Sequence, residues 1–273
     1  MNKQPVVSLS NKLSYDKTTR NHYLSGASHI KCPFIRKLFY ETALSIFEDI
    51  KVSCPKPRVL DLGAGEGTIT KVWLEMGAKV TAVDISENRL KQLEEACKDY
   101  ENNLEIICMD VFKYLEDNRQ KRYELVSAVG FLHHVQDYLS LIQKAIFMIE
   151  SNGYFFSFED PLFVKTLGFY SFFLSKLLYY CWRITRGDII GGLYRKWRRM
   201  FFGYKDDLYD NTEYHAIRLG VNQGSIINLL TEEGFSCILN SYFSNQSPFL
   251  QLLGTNLNIK NYFYIIAKRR QRL

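Results

Sequence analysis

The chain has 273 residues, a formal net charge of +6, 47% hydrophobic and 23% charged residues, which is ordinary for a globular protein of one large domain or of a domain with a sizeable insertion. Its six cysteines, Cys32, Cys54, Cys97, Cys108, Cys181 and Cys237, are scattered without a C-x-x-C pair or a Cys/His cluster; this argues against a zinc site or a disulfide framework and for reduced thiols in a cytoplasmic setting. The opening MNKQPVVSLSNK lacks the apolar run of a signal peptide, and the mild positive charge is compatible with an anionic substrate, a membrane surface or nucleic acid without selecting one.

Residues 1 to about 30 are polar and weakly patterned. From Ile35 to Ile50 the apolar residues Leu38, Ala43, Leu44, Phe47 and Ile50 recur at helical spacing, and Pro55-Lys56-Pro57 separates them from a strand at Arg58 to Leu62. A glycine-rich turn, Gly63-Ala64-Gly65-Glu66-Gly67, leads into a helix from Thr68 that stops at Gly77. Lys79 to Val83 reads as a second strand ending in Asp84, and Ser86 can cap a helix from Glu87 to Lys98. A third strand, Leu104 to Cys108, runs to Asp110, and a fourth covers Tyr123 to Val129. A helix from Tyr138 to Glu150 and a strand from Tyr154 to Phe158 follow.

The rhythm breaks at 161–220, a long aromatic and basic insertion, and resumes with a helix from Ser225 to Glu233. Two strands end the chain, Phe235 to Phe243 and Tyr262 to Lys268; no strong helical pattern links them, so they are expected to pair antiparallel at a sheet edge. Strand–helix alternation with connections too long for hairpins predicts an α/β, doubly wound, mostly parallel sheet. The chain divides into an N-terminal helical segment that can act as a lid (1–50), a cofactor-binding part (51–160), the insertion as a helical substrate cap (161–220) and a closing helix and strand pair (221–273).

Strand, glycine turn and helix together form the mouth of a nucleotide-type site, and three details narrow it. The glycines run G-x-G-x-G, where the dinucleotide fingerprint is G-x-G-x-x-G. Asp61 ends the first strand, where a carboxylate can help hold a cationic amino-acid group. Asp84 and Asp110 end the next two strands, suiting a ribose diol and an exocyclic amine, all at the carboxyl edge where open α/β sheets bind ligands.

With DLGAGEG at 61–67, VDIS at 83–86, MDVF at 109–112 and VGFLHHVQD at 129–137, the chain resembles class I S-adenosylmethionine-dependent methyltransferases of the small-molecule type. The resemblance covers roughly Arg58 to Asp160. It implies a Rossmann-like, seven-stranded sheet with the last strand antiparallel, and S-adenosyl-L-methionine as cofactor. It also implies Gly63, Ala64 and Gly65 against the methionine part, Asp84 on the ribose, Ile85 on the adenine ring, Asp110 and Val111 at its edge, and Val129 and Gly130 near the cofactor amine.

His133 and His134 follow the fourth strand and are candidate general bases; packing on the following helix is the alternative for both. Glu159 and Asp160 end the fifth strand and are candidates to grip a substrate, as are Tyr214 and His215 where the insertion returns to the core. Tyr15 and Tyr23 are candidates to close over the cofactor, as N-terminal regions of the family often do. Leu162 to Ile184 is apolar around a whole helix, with Lys165, Lys176 and Arg183 as its charges, and Leu193 to Phe202 mixes cations with aromatics. A substrate cap is the first expectation for this insertion and a peripheral membrane contact through 162–202 the second. The dense basic clusters are confined to this insertion and the KRRQR stretch at 268–272, which argues against nucleic acid as a partner.

The expected activity is methyl transfer to a lipophilic or aromatic small molecule, oxygen ahead of nitrogen, in specialised-metabolite biosynthesis, without a metal. The insertion is also similar to that of quinone O-methyltransferases of this fold, so O-methylation of a membrane isoprenoid quinol is an alternative. A non-catalytic, cofactor-binding scaffold is the second alternative.

Overall fold

A computed structural model of the chain describes residues 4–17, 31–185, 197, 201, 211–212 and 214–270. Tyr23 and most of the basic stretch 193–202 lie outside the described residues. The first helix, α1 (Gln4–Lys17), stands where the sequence is weakly patterned, and α2 (Pro33–Lys51) follows it. The alternating core comprises β1 (Arg58–Leu62), α3 (Thr68–Glu75), β2 (Lys79–Asp84), α4 (Glu87–Ala96), β3 (Leu104–Cys108), α5 (Val111–Asp117), β4 (Tyr123–Val129), α6 (Tyr138–Ile146) and β5 (Ile149–Pro161). The insertion opens with α7 (Phe169–Thr185), and the chain closes with α8 (Gln223–Glu232), β6 (Phe235–Tyr242), α9 (Pro248–Asn256) and β7 (Tyr262–Arg269).

The seven strands form one sheet in the order β3-β2-β1-β4-β5-β7-β6. Every neighbouring pair from β3 to β5 is parallel, and β7 runs antiparallel to both β5 and β6. The doubly wound architecture with a reversed last strand expected above is therefore present. Alternate strand residues feed two cores. Leu60, Leu62 and Val126 pack under α5, α6 and α8. Val59, Val80 and Phe156 pack under α2 and α3, around the buried Trp73. Burial on both faces is what a parallel sheet flanked by helices requires.

Two helices were not foreseen. α5 is only seven residues long and buries Val111, Tyr114 and Leu115, too short a run to show a period; the Asp110 side chain caps it. α9 starts at a Ser247 cap with Pro248 in its first turn, yet it buries Leu250, Gln251 and Gly254. Gly254 lies so close to Phe243 that an added Cβ would fall 2.2 Å from the ring. A buried face made of glycine and glutamine, with Phe249 and Leu252 left exposed, inverts the pattern that announces a helix.

Candidate functional site

The carboxyl ends of β1, β2, β3 and β4 converge on a cleft that opens to solvent. Of the ten residues expected to hold the cofactor, eight line it: Gly63, Gly65, Asp84, Ile85, Asp110, Val111, Val129 and Gly130. The glycine turn is pinned to the second strand, since the Gly63 and Ala64 amides both donate to the Val83 carbonyl at 2.9 and 3.1 Å. Ala64 is buried behind that turn, outside the cleft wall. Asp84 accepts from the Gly65 amide at 2.9 Å and the Ser86 amide at 2.8 Å. Burial pushes its carboxyl up, and those two amides and the charge of Arg89 pull it back. Asp110 accepts from the Phe112 amide at 2.9 Å and so serves α5 as well as the cleft.

Asp61 is the second of the ten outside the wall. It is buried away from the cleft and accepts from the Thr70 hydroxyl at 2.7 Å, which ties β1 to α3 behind the glycine turn. Burial drives its carboxyl up to about 7, with the Thr70 bond opposing the shift.

The two histidines diverge although their ring centroids lie 3.9 Å apart. His134 lines the cleft. Its Nδ1 donates to the Thr212 carbonyl, which leaves Nε2 to accept from the Tyr15 hydroxyl at 2.9 Å. Burial, and then the neighbouring His133, hold His134 well below the usual imidazole range. His133 lies outside the cleft wall. Its backbone amide and its ring Nδ1 both donate to the buried Asp160 carboxylate, at 3.0 and 2.8 Å. Burial raises the Asp160 carboxyl, and the bonds to His133 oppose that.

The four candidate substrate residues sit outside the cleft wall. Glu159 adopts a left-handed conformation, φ 63°, at the point where the β5–β7 register shifts. Its carboxylate is buried and accepts from the Ser244 hydroxyl and, at 2.6 Å, from the Tyr242 hydroxyl. His215 staples the returning insertion to the loop after β4: its amide donates to the His133 carbonyl at 2.9 Å and its Nε2 to the Gln136 carbonyl at 3.0 Å. The Tyr214 ring lies beside His215 and carries the Arg218 guanidinium 3.8 Å from its centroid.

Tyr15 of α1, a candidate from the sequence, lines the cleft, and the structure adds Gln4, Ser8 and Asn11, which the sequence did not bring forward; the four stand in steps of four, three and four residues, one face of a helix. A polar stripe at that spacing was the available signal; a search for apolar periodicity passes over it. α1 is held in place by Asp16, whose carboxylate accepts from the Ser86 hydroxyl at 2.6 Å and whose carbonyl accepts from Asn88 at 2.9 Å. Glu66, Arg89, Phe131 and Val135 complete the wall.

The groups on the cleft wall suit an extended nucleoside cofactor. Gly65 has φ 54° and lines the wall, and a Cβ there would meet nothing within 4 Å, so its backbone is bare towards the open space. A carboxylate stands at each of the next two strand ends.

A family model described as a methyltransferase domain matches residues 59–153. The ubiquinone biosynthesis O-methyltransferase of Nitrosomonas europaea is 27% identical over 113 residues, which is 41% of this chain and 48% of the relative. The protein of that name from Coxiella burnetii is 28% identical over 98 residues, 36% of this chain and 41% of the relative. The similarity thus spans less than half the length of either relative. Among solved structures, the N-methyltransferase NodS of Bradyrhizobium japonicum in complex with S-adenosyl-L-homocysteine aligns with a TM-score of 0.55 at 11% identity, over 96% of this chain and 100% of that one. Magnesium protoporphyrin IX methyltransferase of Synechocystis with bound S-adenosylmethionine aligns with a TM-score of 0.54 at 14% identity, over 98% of each chain. At such identities the structures speak for the fold. Motifs, sheet order and matched domain agree: the chain carries the methyltransferase domain of the class I S-adenosylmethionine-dependent fold.

Proposed function

We propose that the protein transfers a methyl group from S-adenosyl-L-methionine to an oxygen of a lipophilic or aromatic small molecule. The observation that carries this reading is the cleft itself: a bare glycine turn with Asp84 on one side, Asp110 on another and a histidine at the wall. Gly63 and Gly65 would receive the methionine part, Asp84 the ribose, Ile85 the adenine ring, Asp110 and Val111 its edge, and the Val129-Gly130 backbone the amine. Ala64 and Asp61, both outside the cleft wall, would act from behind, by fixing the turn. The bound cofactor supplies an electrophilic methyl on a sulfonium, so the protein's part is alignment and proton removal.

Of the two candidate bases, His134 lines the cleft but is disfavoured as a cation by burial, and its Nε2 is engaged by Tyr15. His133 lies outside the cleft wall but has a carboxylate partner, Asp160, that would stabilise the imidazolium, so this reading takes His133 as the base for an acceptor that extends past the wall. Glu159, Tyr214 and His215 then support the site through packing. The test is transfer of labelled methyl from S-adenosylmethionine to a panel of lipophilic phenols and catechols, with the matching amines alongside. Transfer to the amines alone would reject oxygen as the acceptor.

A second reading, an isoprenoid quinol met at a membrane, is favoured by a separate observation. Phe169, Phe173 and Leu177 are exposed at steps of four along α7, and Phe249 and Leu252 are exposed on α9, which packs against it. Residues 162–187 and 243–261 contain no acidic residue but include Lys165, Lys176, Arg183, Arg186 and Lys260. An apolar face with basic flanks suits an anionic lipid surface. Among the described residues no helix is long and apolar enough to cross a membrane. Flotation with anionic vesicles tests this reading, and an absence of flotation at low salt would remove it.

A further inference from the structure

Arg89 lies in the first turn of α4 and is 1% exposed. A buried guanidinium is costly unless it is paired. Its Nη1 donates to Glu66 Oε2 at 3.1 Å, inside the glycine turn, and the other Glu66 oxygen accepts from the Thr68 hydroxyl at 3.0 Å. The Tyr15 ring lies over the guanidinium, 5.4 Å from its centroid. Arg89, Glu66, Tyr15 and Asp84 all face the same cleft. One side chain thus joins the glycine turn, the helix after the ribose acid and the N-terminal helix.

A buried ion pair is weak support for stability, because an apolar pair of the same shape often does as well or better. The neighbours Leu90 and Leu93 already bury α4 against the sheet through Ala64 and Ala82. The pair is therefore better explained by what it does to the cleft. Resting on the reading of that cleft as the S-adenosylmethionine site, we propose that Arg89 is a positioning residue: it locks the glycine turn through Glu66 and holds Asp84 as the carboxylate that accepts a ribose diol. Asp84 sits among acids: Glu66 stands in the turn whose Gly65 amide bonds it, Asp16 of α1 is bonded to the adjacent Ser86, and Asp61 on β1, raised to about 7, adds negative charge only above that pH, while Arg89 brings positive charge against them.

The experiment is calorimetric titration of S-adenosyl-L-homocysteine into wild type, Arg89→Gln and Arg89→Lys between pH 6 and 8, with circular dichroism to establish that each is folded. Arg89→Gln keeps a donor for Glu66 and loses the charge. We expect it to bind roughly tenfold more weakly at pH 7, and to weaken further as pH falls from 8 to 6, because an Asp84 without its cation takes up a proton at higher pH. Arg89→Lys restores most of the affinity and the wild-type pH profile. A folded Arg89→Gln with affinity within about twofold of wild type and an unchanged pH profile would overturn the proposal. If Arg89→Gln does not fold, Arg89→Lys decides alone: near-wild-type affinity with a flat profile supports a charge role, and a tenfold loss at every pH contradicts it. Wild type that fails to bind S-adenosyl-L-homocysteine at all would contradict the cofactor reading instead, which keeps the two failures apart.

Discussion

His133 donates both its backbone N–H and its ring Nδ1–H to a single oxygen of Asp160, at 3.0 and 2.8 Å. The ring is thereby fixed in one tautomer, with the carboxylate behind it fully buried. If this pair removes the acceptor proton, Asp160→Asn and His133→Asn should each lower kcat by about 10²- to 10⁴-fold and leave affinity for S-adenosyl-L-homocysteine unchanged. Steady-state kinetics with a phenolic acceptor and calorimetry on the same variants check this. Full activity of His133→Asn would assign proton removal elsewhere.

Tyr15 lines the cleft, with its ring over Arg89 and its hydroxyl on His134. Tyr15→Phe keeps the ring and withdraws the donor from a buried acceptor, which should cost about 1–3 kcal/mol. Hydrogen exchange should show this as lost protection concentrated in α1, with protection of β1 and β4 retained. Uniform loss over the whole sheet would place the effect in global stability.

Asp61 contributes instability that depends on pH. Its carboxyl is raised from 3.8 to about 7, so between those values the folded state holds a proton that the unfolded state releases. Stability is therefore lost as pH rises from about 4 to about 7 and stays lost above it. Asp61→Asn can still accept from Thr70 and removes the charge; it should flatten that slope and gain roughly 2–4 kcal/mol at pH 8. Urea melts at pH 5 and pH 8 measure both effects, and a variant with the wild-type slope would refute the assignment.

The apolar face of α7 and α9 lies apart from the cleft wall. Replacing Phe169, Phe173 and Phe249 together by serine should abolish flotation with anionic vesicles and leave S-adenosyl-L-homocysteine affinity intact. Retained flotation would send the membrane contact to another part of the chain.

What the sequence made legible follows from what constrains it. Gly63, Gly65, Asp84 and Asp110 stand at strand ends, where backbone geometry dictates residue type, and the structure gathers them in one cleft. The central strands β1, β2, β4 and β5 were legible because burial on both sheet faces leaves near-continuous apolar runs. α1 was legible only as part of a helical segment over 1–50, because its informative face is polar, and α9 was not legible because it buries Gln251 and Gly254 while exposing Phe249. Arg89 and Glu66 are 23 residues apart, and nothing local marks either as a cleft residue. The separation of His133 from His134 could not be read at all, since it rests on Asp160, Thr212 and Tyr15, which arrive from three distant segments.

The central claim is that this cleft holds S-adenosyl-L-methionine with Asp84 on its ribose. The most direct measurement is calorimetric titration of S-adenosyl-L-homocysteine into wild type and Asp84→Ala. The account predicts saturable one-to-one binding to wild type and binding at least roughly tenfold weaker to a folded Asp84→Ala. No binding to wild type at about 1 mM ligand, or equal affinity for the two proteins, would contradict it.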